Sequence, residues 1–141
     1  MIINIIGKKL NNQLNYFNKI KDKSKILNKK NKKVIFYGSR NKFFIRKILN
    51  NTDIYILPSI SEGLSISLLE SMAMQCSCIV SKDSNISNLI KNKKNGLVFD
   101  LNEKSLIKCL NYLIFSKGNT LKNMQRSARF TVKNLYSNFN I

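Results

Sequence analysis

Ile54-Tyr55-Ile56-Leu57-Pro58-Ser59-Ile60-Ser61-Glu62-Gly63-Leu64-Ser65-Ile66-Ser67-Leu68-Leu69-Glu70-Ser71-Met72-Ala73 is the stretch that decides the fold. Its first four residues form a short, unbroken apolar run, the pattern of a strand covered on both faces. Pro58 ends the run because proline has no amide to give a ladder. Ser65 stands at an N-cap position, and the residues from there to about Gln75 read as a helix. Two carboxylates with seven residues between them frame the segment. Glu62 is placed in the loop beside Gly63, and Glu70 about two turns into the helix.

That order has chemical content. The start of a helix presents amide N–H groups without intrahelical partners, and the helix dipole adds to their attraction for an anion such as a diphosphate. Gly63 lets backbone approach a ligand closely. A loop carboxylate can accept hydrogen bonds from sugar hydroxyls, and a carboxylate on the helix can accept two from a ribose diol. The segment therefore suits a phosphorylated, hydroxyl-rich ligand, with the anion met by amides and cations and the hydroxyls by acids. A loop Glu and a helical Glu are also common solvated residues, and their spacing alone has little specificity. It is the surrounding strand, Pro-Ser step, glycine and Leu-Leu-Glu-Ser-Met-Ala that give the pattern weight.

Outward from this segment, strands and helices alternate. Ile2 to Ile6 reads as a strand ending at Gly7, and Leu10, Leu14, Phe17, Ile20 and Ile26-Leu27 recur at helical spacing. Asn28 to Lys33 reads as a surface loop, Val34 to Tyr37 as a strand stopped by Gly38, and Phe43 to Leu49 as a short helix. Downstream come a strand at Cys78 to Ser81, a short helix marked by Ile86, Leu89 and Ile90, a turn at Asn95-Gly96, and a strand at Leu97 to Phe99. A helix follows Asn102, carrying Leu106, Ile107, Leu110, Leu113 and Ile114. A last helix carries Leu121, Met124, Ala128, Val132 and Leu135. Alternating short apolar strands and helices predict an α/β fold, a Rossmann-like parallel sheet with helices on both faces. In such sheets ligands sit at the carboxyl ends of strands, near helix N-termini.

Composition sets the outer bounds. The 141 residues read as one domain spanning 1–141, and 43% hydrophobic residues suffice for a packed core. No apolar run approaches bilayer-spanning length, and Met1 to Ile6 is too short for a signal-peptide core, so the expected location is cytoplasmic. Twenty-five Lys plus Arg stand against seven Asp plus Glu, a formal +18. That excess has three readings. One is a coding bias that overuses Lys, Asn and Ile together. The second is attraction to an anionic membrane or phosphorylated substrates, which places the protein peripherally at the inner membrane face. The third is nucleic acid, disfavoured because the lysines are scattered without interleaved aromatics. Three cysteines, Cys76, Cys78 and Cys109, with no histidine, exclude a Cys/His zinc site and read as free thiols.

At these residues the chain resembles family-4 retaining glycosyltransferases, in the C-terminal, donor-binding domain of their GT-B fold. Those enzymes carry Pro-Ser-x-x-Glu-Gly-x-x-x-x-x-Leu-Glu-Ala-Met-Ala after a strand reading Ala-Asp-x-x-Val. Here Thr52 to Ser59, Glu62-Gly63 and Glu70-Ser71-Met72-Ala73 match closely. Val34 to Gly38, Cys78 to Ser81 and Asn95 to Phe99 are similar to further family elements. The resemblance implies a nucleoside-diphosphate sugar as donor and transfer of a hexosyl unit with retention, in polysaccharide or glycolipid synthesis. It implies no cofactor and no metal for the transfer step. Glu62 would be the catalytic-site acid on the transferred sugar's hydroxyls, and Glu70 would hold the ribose. Gly63, Leu64 and Ser65 would offer backbone contacts, and Ser39 and Arg40 would border the base.

Departures from the family pattern shape the same expectation. The family's Gly-Thr-Pro reads Gln75-Cys76-Ser77 here, and its Gly-x-Pro-Glu reads Asn85-Ile86-Ser87-Asn88. The family's first strand-helix unit, with its Arg and Lys for the leaving diphosphate, and its acceptor domain have no assignable counterpart. The resemblance thus implies a truncated donor half, inactive alone and completed by a separate chain bearing the acceptor domain. The alternative is a non-catalytic GT-B-like remnant acting as a binding or interaction module.

Overall fold

A computed structural model of the chain describes residues 2–7, 13–29, 33–61, 63, 65–84 and 87–137, with the side chains of 87 and 136 excepted. The elements run β1 (Ile2–Ile6), α1 (Leu14–Asn28), β2 (Lys33–Gly38), α2 (Lys42–Leu49), β3 (Ile54–Leu57), α3 (Ile66–Ala73), β4 (Ser77–Ser81), β5 (Leu97–Phe99), α4 (Glu103–Phe115) and α5 (Thr120–Ser137). They fall into two compact units, Met1–Ile45 and Arg46–Ile141.

In the first unit β1 and β2 pair in parallel, with Ile3 opposite Val34 and Ile5 opposite Phe36. Gly7 N–H donates to the Gly38 carbonyl at 3.0 Å and closes the pair at its end. From α1, Phe17 sets its ring edge-on to Phe36, centroids 5.5 Å apart. Burial on both faces, expected of every strand, does not hold for β1. Four of its five residues are exposed, Ile2 at 62%. The sequence expectation of a loop over Asn28 to Lys33 is also corrected at its ends: Asn28 closes α1 and Lys33 opens β2.

The second unit holds a parallel sheet in the order β3-β4-β5. Ile54 pairs with Ser77 and Leu57 with Val80, while Ile79 pairs with Leu97 and Ser81 with Phe99. The middle strand β4 is buried at all five residues, as a central parallel strand should be. Ile79, Leu97, Phe99, Leu113 and Met124 form one apolar cluster, joined by Ile54, Leu106, Leu110 and Leu121. α4 lies on β5, and α3 and α5 pack on each other and on β4. Leu68 and Met72 of α3 and Ala128 of α5 are fully buried. Each large side chain buried this way stabilises the fold by about 2–3 kcal/mol before entropy is counted.

Local sequence sets where the helices begin and end. Asn102 caps α4, its Oδ1 accepting from the Ser105 amide at 2.9 Å, with Glu103 favourable in the first turn. The expected short helix at Ile86, Leu89 and Ile90 is a single 3-10 turn, Ser87–Leu89, and Ile86 is not among the described residues. α3 stops at Ala73 rather than Gln75 because Gln75 turns left-handed, φ 62°. The Cys76 amide then donates back to the Ser71 carbonyl at 2.9 Å, satisfying a carbonyl of the last turn. A residue with a Cβ is strained there. Gln75→Gly is therefore expected to raise stability by about 1 kcal/mol, read as a higher denaturation midpoint with unchanged slope. An unchanged or lower midpoint would show that the Gln75 side chain makes up the strain.

Asn95 and Gly96 form the expected turn, and the pair does more than turn the chain. Asn95 is 2% exposed. Its Oδ1 accepts from the Lys91 amide at 2.6 Å, and its Nδ2 donates to the Leu89 carbonyl at 3.1 Å and to Thr131 Oγ1 on α5 at 3.0 Å. One buried amide thus satisfies the backbone of this loop and ties it to a helix distant in sequence.

Candidate functional site

The site is built on the strand-to-helix passage of the second unit. β3 delivers the chain to Pro58, and Ser81 at the end of β4 donates its hydroxyl to the Ser59 carbonyl. Ser84 Oγ in turn donates to the Ser81 carbonyl at 2.7 Å. These serines hold the loop against the carboxyl ends of the strands. Ser65 follows in extended conformation as the N-cap of α3, as its position in sequence predicts, with Oγ accepting from the Leu68 amide at 3.4 Å. The Leu68 and Leu69 amides also reach the Ser65 carbonyl, each at 3.1 Å. By helix geometry the Ile66 and Ser67 amides precede those first intrahelical donors, at the positive end of the dipole.

A hydroxyl chain fixes this end of α3. Tyr55 OH lies 2.8 Å from Ser67 Oγ, and Ser67 Oγ lies 3.0 Å from Ser65 Oγ. Sequence reasoning missed Tyr55 and Ser67. Twelve residues separate them, and only the return of the helix over its own strand brings them together. Tyr55 sits in an apolar run and reads there as core.

Glu70 is the fifth residue of α3 and half-buried, between buried Leu69 and Ser71. It lies closer to the helix start than the two turns expected, because α3 begins at Ile66. Gly63 lies in open space: a Cβ built on it meets no atom within 4 Å. Packing therefore does not require a glycine there. Glu62 and Leu64 lie outside the described residues. Gly63, Ser65 and Glu70 share the one loop–helix segment, whereas Ser39 and Arg40 follow β2 in the other unit. There the Arg40 guanidinium stacks 5.1 Å above the Phe44 ring, itself edge-on to Tyr37, and Asn41 Oδ1 accepts from the Phe44 amide at 2.9 Å.

Burial holds the thiols in their protonated form. Burial pushes Cys76 up to about 11, with the Asp53 charge adding to it, and pushes Cys78 up to about 12 against a smaller lowering by the Ser71 hydroxyl. Cys109 is also raised by burial. The native state keeps these protons where the unfolded chain, with thiols near 9, releases them. The unfolded state then binds fewer protons, so stability falls as pH rises from about 9 toward 11. Chemical denaturation across that window is expected to show a shallower loss in a Cys76→Ala, Cys78→Ala double variant. Equal slopes for the two proteins would reject the assignment. Among the described residues no group of three or more His, Cys, Asp or Glu is arranged to hold a metal ion. No helix among them is long and apolar enough to cross a membrane.

Parallel strands with helices packed on them, and a capped helix start at the strand ends, define an α/β domain. The chain belongs to the family described as Glycosyl transferases group 1, whose sequence profile matches residues 2–130. It is 35% identical over 72 residues to the UDP-Gal:alpha-D-GlcNAc-diphosphoundecaprenol alpha-1,3-galactosyltransferase of Escherichia coli, a match covering 51% of this chain and 18% of that enzyme. An uncharacterized glycosyltransferase of Methanocaldococcus jannaschii is 32% identical over 75 residues, 52% of this chain and 19% of that protein. Among solved structures, Anabaena HepE in complex with UDP and glucose superposes with a TM-score of 0.81 at 18% identity, over 93% of this chain and 35% of that one. The C-terminal domain of a group 1 glycosyl transferase from Francisella tularensis does so with a TM-score of 0.80 at 24% identity, over 94% and 68%. The fold is thus that of a GT-B glycosyltransferase domain. The chain spans about a third of the HepE structure, and its sequence matches reach less than a fifth of either relative.

Proposed function

We propose that this chain is the donor-binding, C-terminal domain of a family-4 retaining glycosyltransferase, and that it binds a nucleoside-diphosphate sugar whose hexosyl unit is transferred to a polysaccharide or glycolipid acceptor. The observation that carries the reading is the Ser65-capped start of α3, at the carboxyl end of β3, with Glu70 one turn further along the same helix. The diphosphate rests at that helix start, where amide dipoles meet its charge. Glu70 accepts two hydrogen bonds from the ribose diol. Glu62 meets the hydroxyls of the transferred sugar, and Gly63, Leu64 and Ser65 give backbone contacts. The UDP and glucose in the HepE complex, a protein of the same fold, support a donor of this class. The transfer step needs no metal on this reading. Turnover needs an acceptor-binding domain, the other half of a GT-B enzyme.

Calorimetric titration with UDP, UDP-glucose and UDP-galactose tests the proposal. Binding is expected for the wild type. A carboxylate with two hydrogen bonds is worth about 1.5–3 kcal/mol, so Glu70→Ala should weaken binding roughly 10- to 100-fold. On this reading Gly63→Ala should weaken binding by crowding the ligand, while thermal stability stays unchanged because the added Cβ meets no protein atom. Wild-type protein that binds none of these nucleotides, or equal affinity in the Glu70 variant, would sink the reading.

A further inference from the structure

The last helix presents a surface that the donor reading leaves unused. Met124, Ala128 and Val132 bury one side of α5. Lys122, Arg126, Arg129 and Lys133 are all exposed, at spacings of four, three and four residues. At 100° and 1.5 Å per residue, those spacings confine the four cations to an arc of about 60° and a length of about 16 Å. Two of the four arginines in the whole chain fall on this stripe. No acid occurs anywhere after Glu103, and the one ion pair among the described residues is Lys25 with Asp22. The stripe therefore stands as concentrated, unneutralised positive charge on a rigid rod.

One more feature selects the partner. Phe130, 64% exposed, sits on the flank of the stripe, one residue beyond Arg129. Ile114 and Phe115, also exposed, end the helix that leads into α5. A bilayer interface accepts such side chains beneath a layer of cations held at the headgroups. A nucleic acid would match the charge, yet α5 shows it no run of aromatic platforms on which successive bases could stack.

We propose that the Lys122–Arg126–Arg129–Lys133 stripe of α5, with Phe130 beside it, is a docking surface for an anionic lipid bilayer. The surface lies on residues separate from those assigned to the donor, so its failure and that of the donor reading are distinguishable. The lipid phosphates and headgroup charges neutralise the stripe, and the phenylalanine ring enters the interface.

Co-sedimentation of the full chain with vesicles tests this. Vesicles of phosphatidylcholine mixed with phosphatidylglycerol should retain the protein, and pure phosphatidylcholine vesicles should not. Each basic residue at an anionic surface is worth about fivefold in partitioning, so Arg126→Gln with Arg129→Gln should weaken it roughly 25-fold. Lys122→Gln with Lys133→Gln should do the same. Lys19→Gln with Lys23→Gln on α1 removes the same net charge and should change little. Phe130→Ser should weaken binding several-fold without altering its salt dependence. The proposal is overturned by no preference for the anionic vesicles, by equal loss in the α1 and α5 variants, or by tighter α5-dependent binding to a DNA oligonucleotide at the same salt.

Discussion

Leu68→Ala is expected to cost about 3–4 kcal/mol of stability and to lower the melting temperature by roughly 10 °C. Leu68 is fully buried on α3, one turn past the Ser65 cap. Truncation removes its dispersion contacts and leaves a cavity in a region where Met72, Ala128, Ile79 and Val80 are also fully buried. A close-packed interior collapses poorly around such a void. Leu68→Met keeps the volume and should cost less than about 1.5 kcal/mol. The consequence reaches the site, since the amide of this same residue is held by the Ser65 hydroxyl and carbonyl. Thermal denaturation followed by circular dichroism measures the effect. A Leu68→Ala protein as stable as the wild type would mean that α3 is not packed as described.

Gly96→Ala is the second large effect, with about 3 kcal/mol lost. A Cβ at this position would stand 2.9 Å from the Cys78 carbonyl oxygen and 3.0 Å from Ile90 Cγ2. Ile90 can shift a few tenths of an ångström. Cys78 cannot, because its carbonyl belongs to the backbone of the fully buried central strand. The added methyl must push β4 or displace the Asn95 turn, whose amide satisfies Lys91, Leu89 and Thr131 together. Gly63→Ala serves as the internal comparison, since there the same methyl meets nothing. Denaturant midpoints for the two variants should separate clearly. Coincident midpoints would show that the turn yields without cost.

The fold was legible wherever a local rule governed. Apolar runs marked β3, β4 and β5, and side-chain caps marked Ser65 and Asn102. Asn95-Gly96 marked a turn, though not the buried tie to Thr131, which depends on a partner 36 residues away. β1 reads as a buried strand from composition, yet its exposure is set by what surrounds it in space. The left-handed Gln75 hides in the sequence because glutamine carries no signal for that conformation. At the site, the strand–loop–helix passage and Glu70 could be read directly. The hydroxyl chain through Tyr55 could not, and neither could the grouping of Ser39 and Arg40 with the first unit. The cations of α5 escaped a reading by runs, since they never adjoin and align only at helical phase.

The burial of Met124, Ala128 and Val132 against elements some fifty residues earlier has a consequence for biosynthesis. While a ribosome is still making α4, the part of α3 that packs on α5 has no cover and Asn95 has no Thr131 to meet. Closure of this unit must wait for Val132 to clear the exit tunnel. A nascent chain stalled short of that residue is expected to remain protease-sensitive and chaperone-bound, however much of its sheet has already been translated.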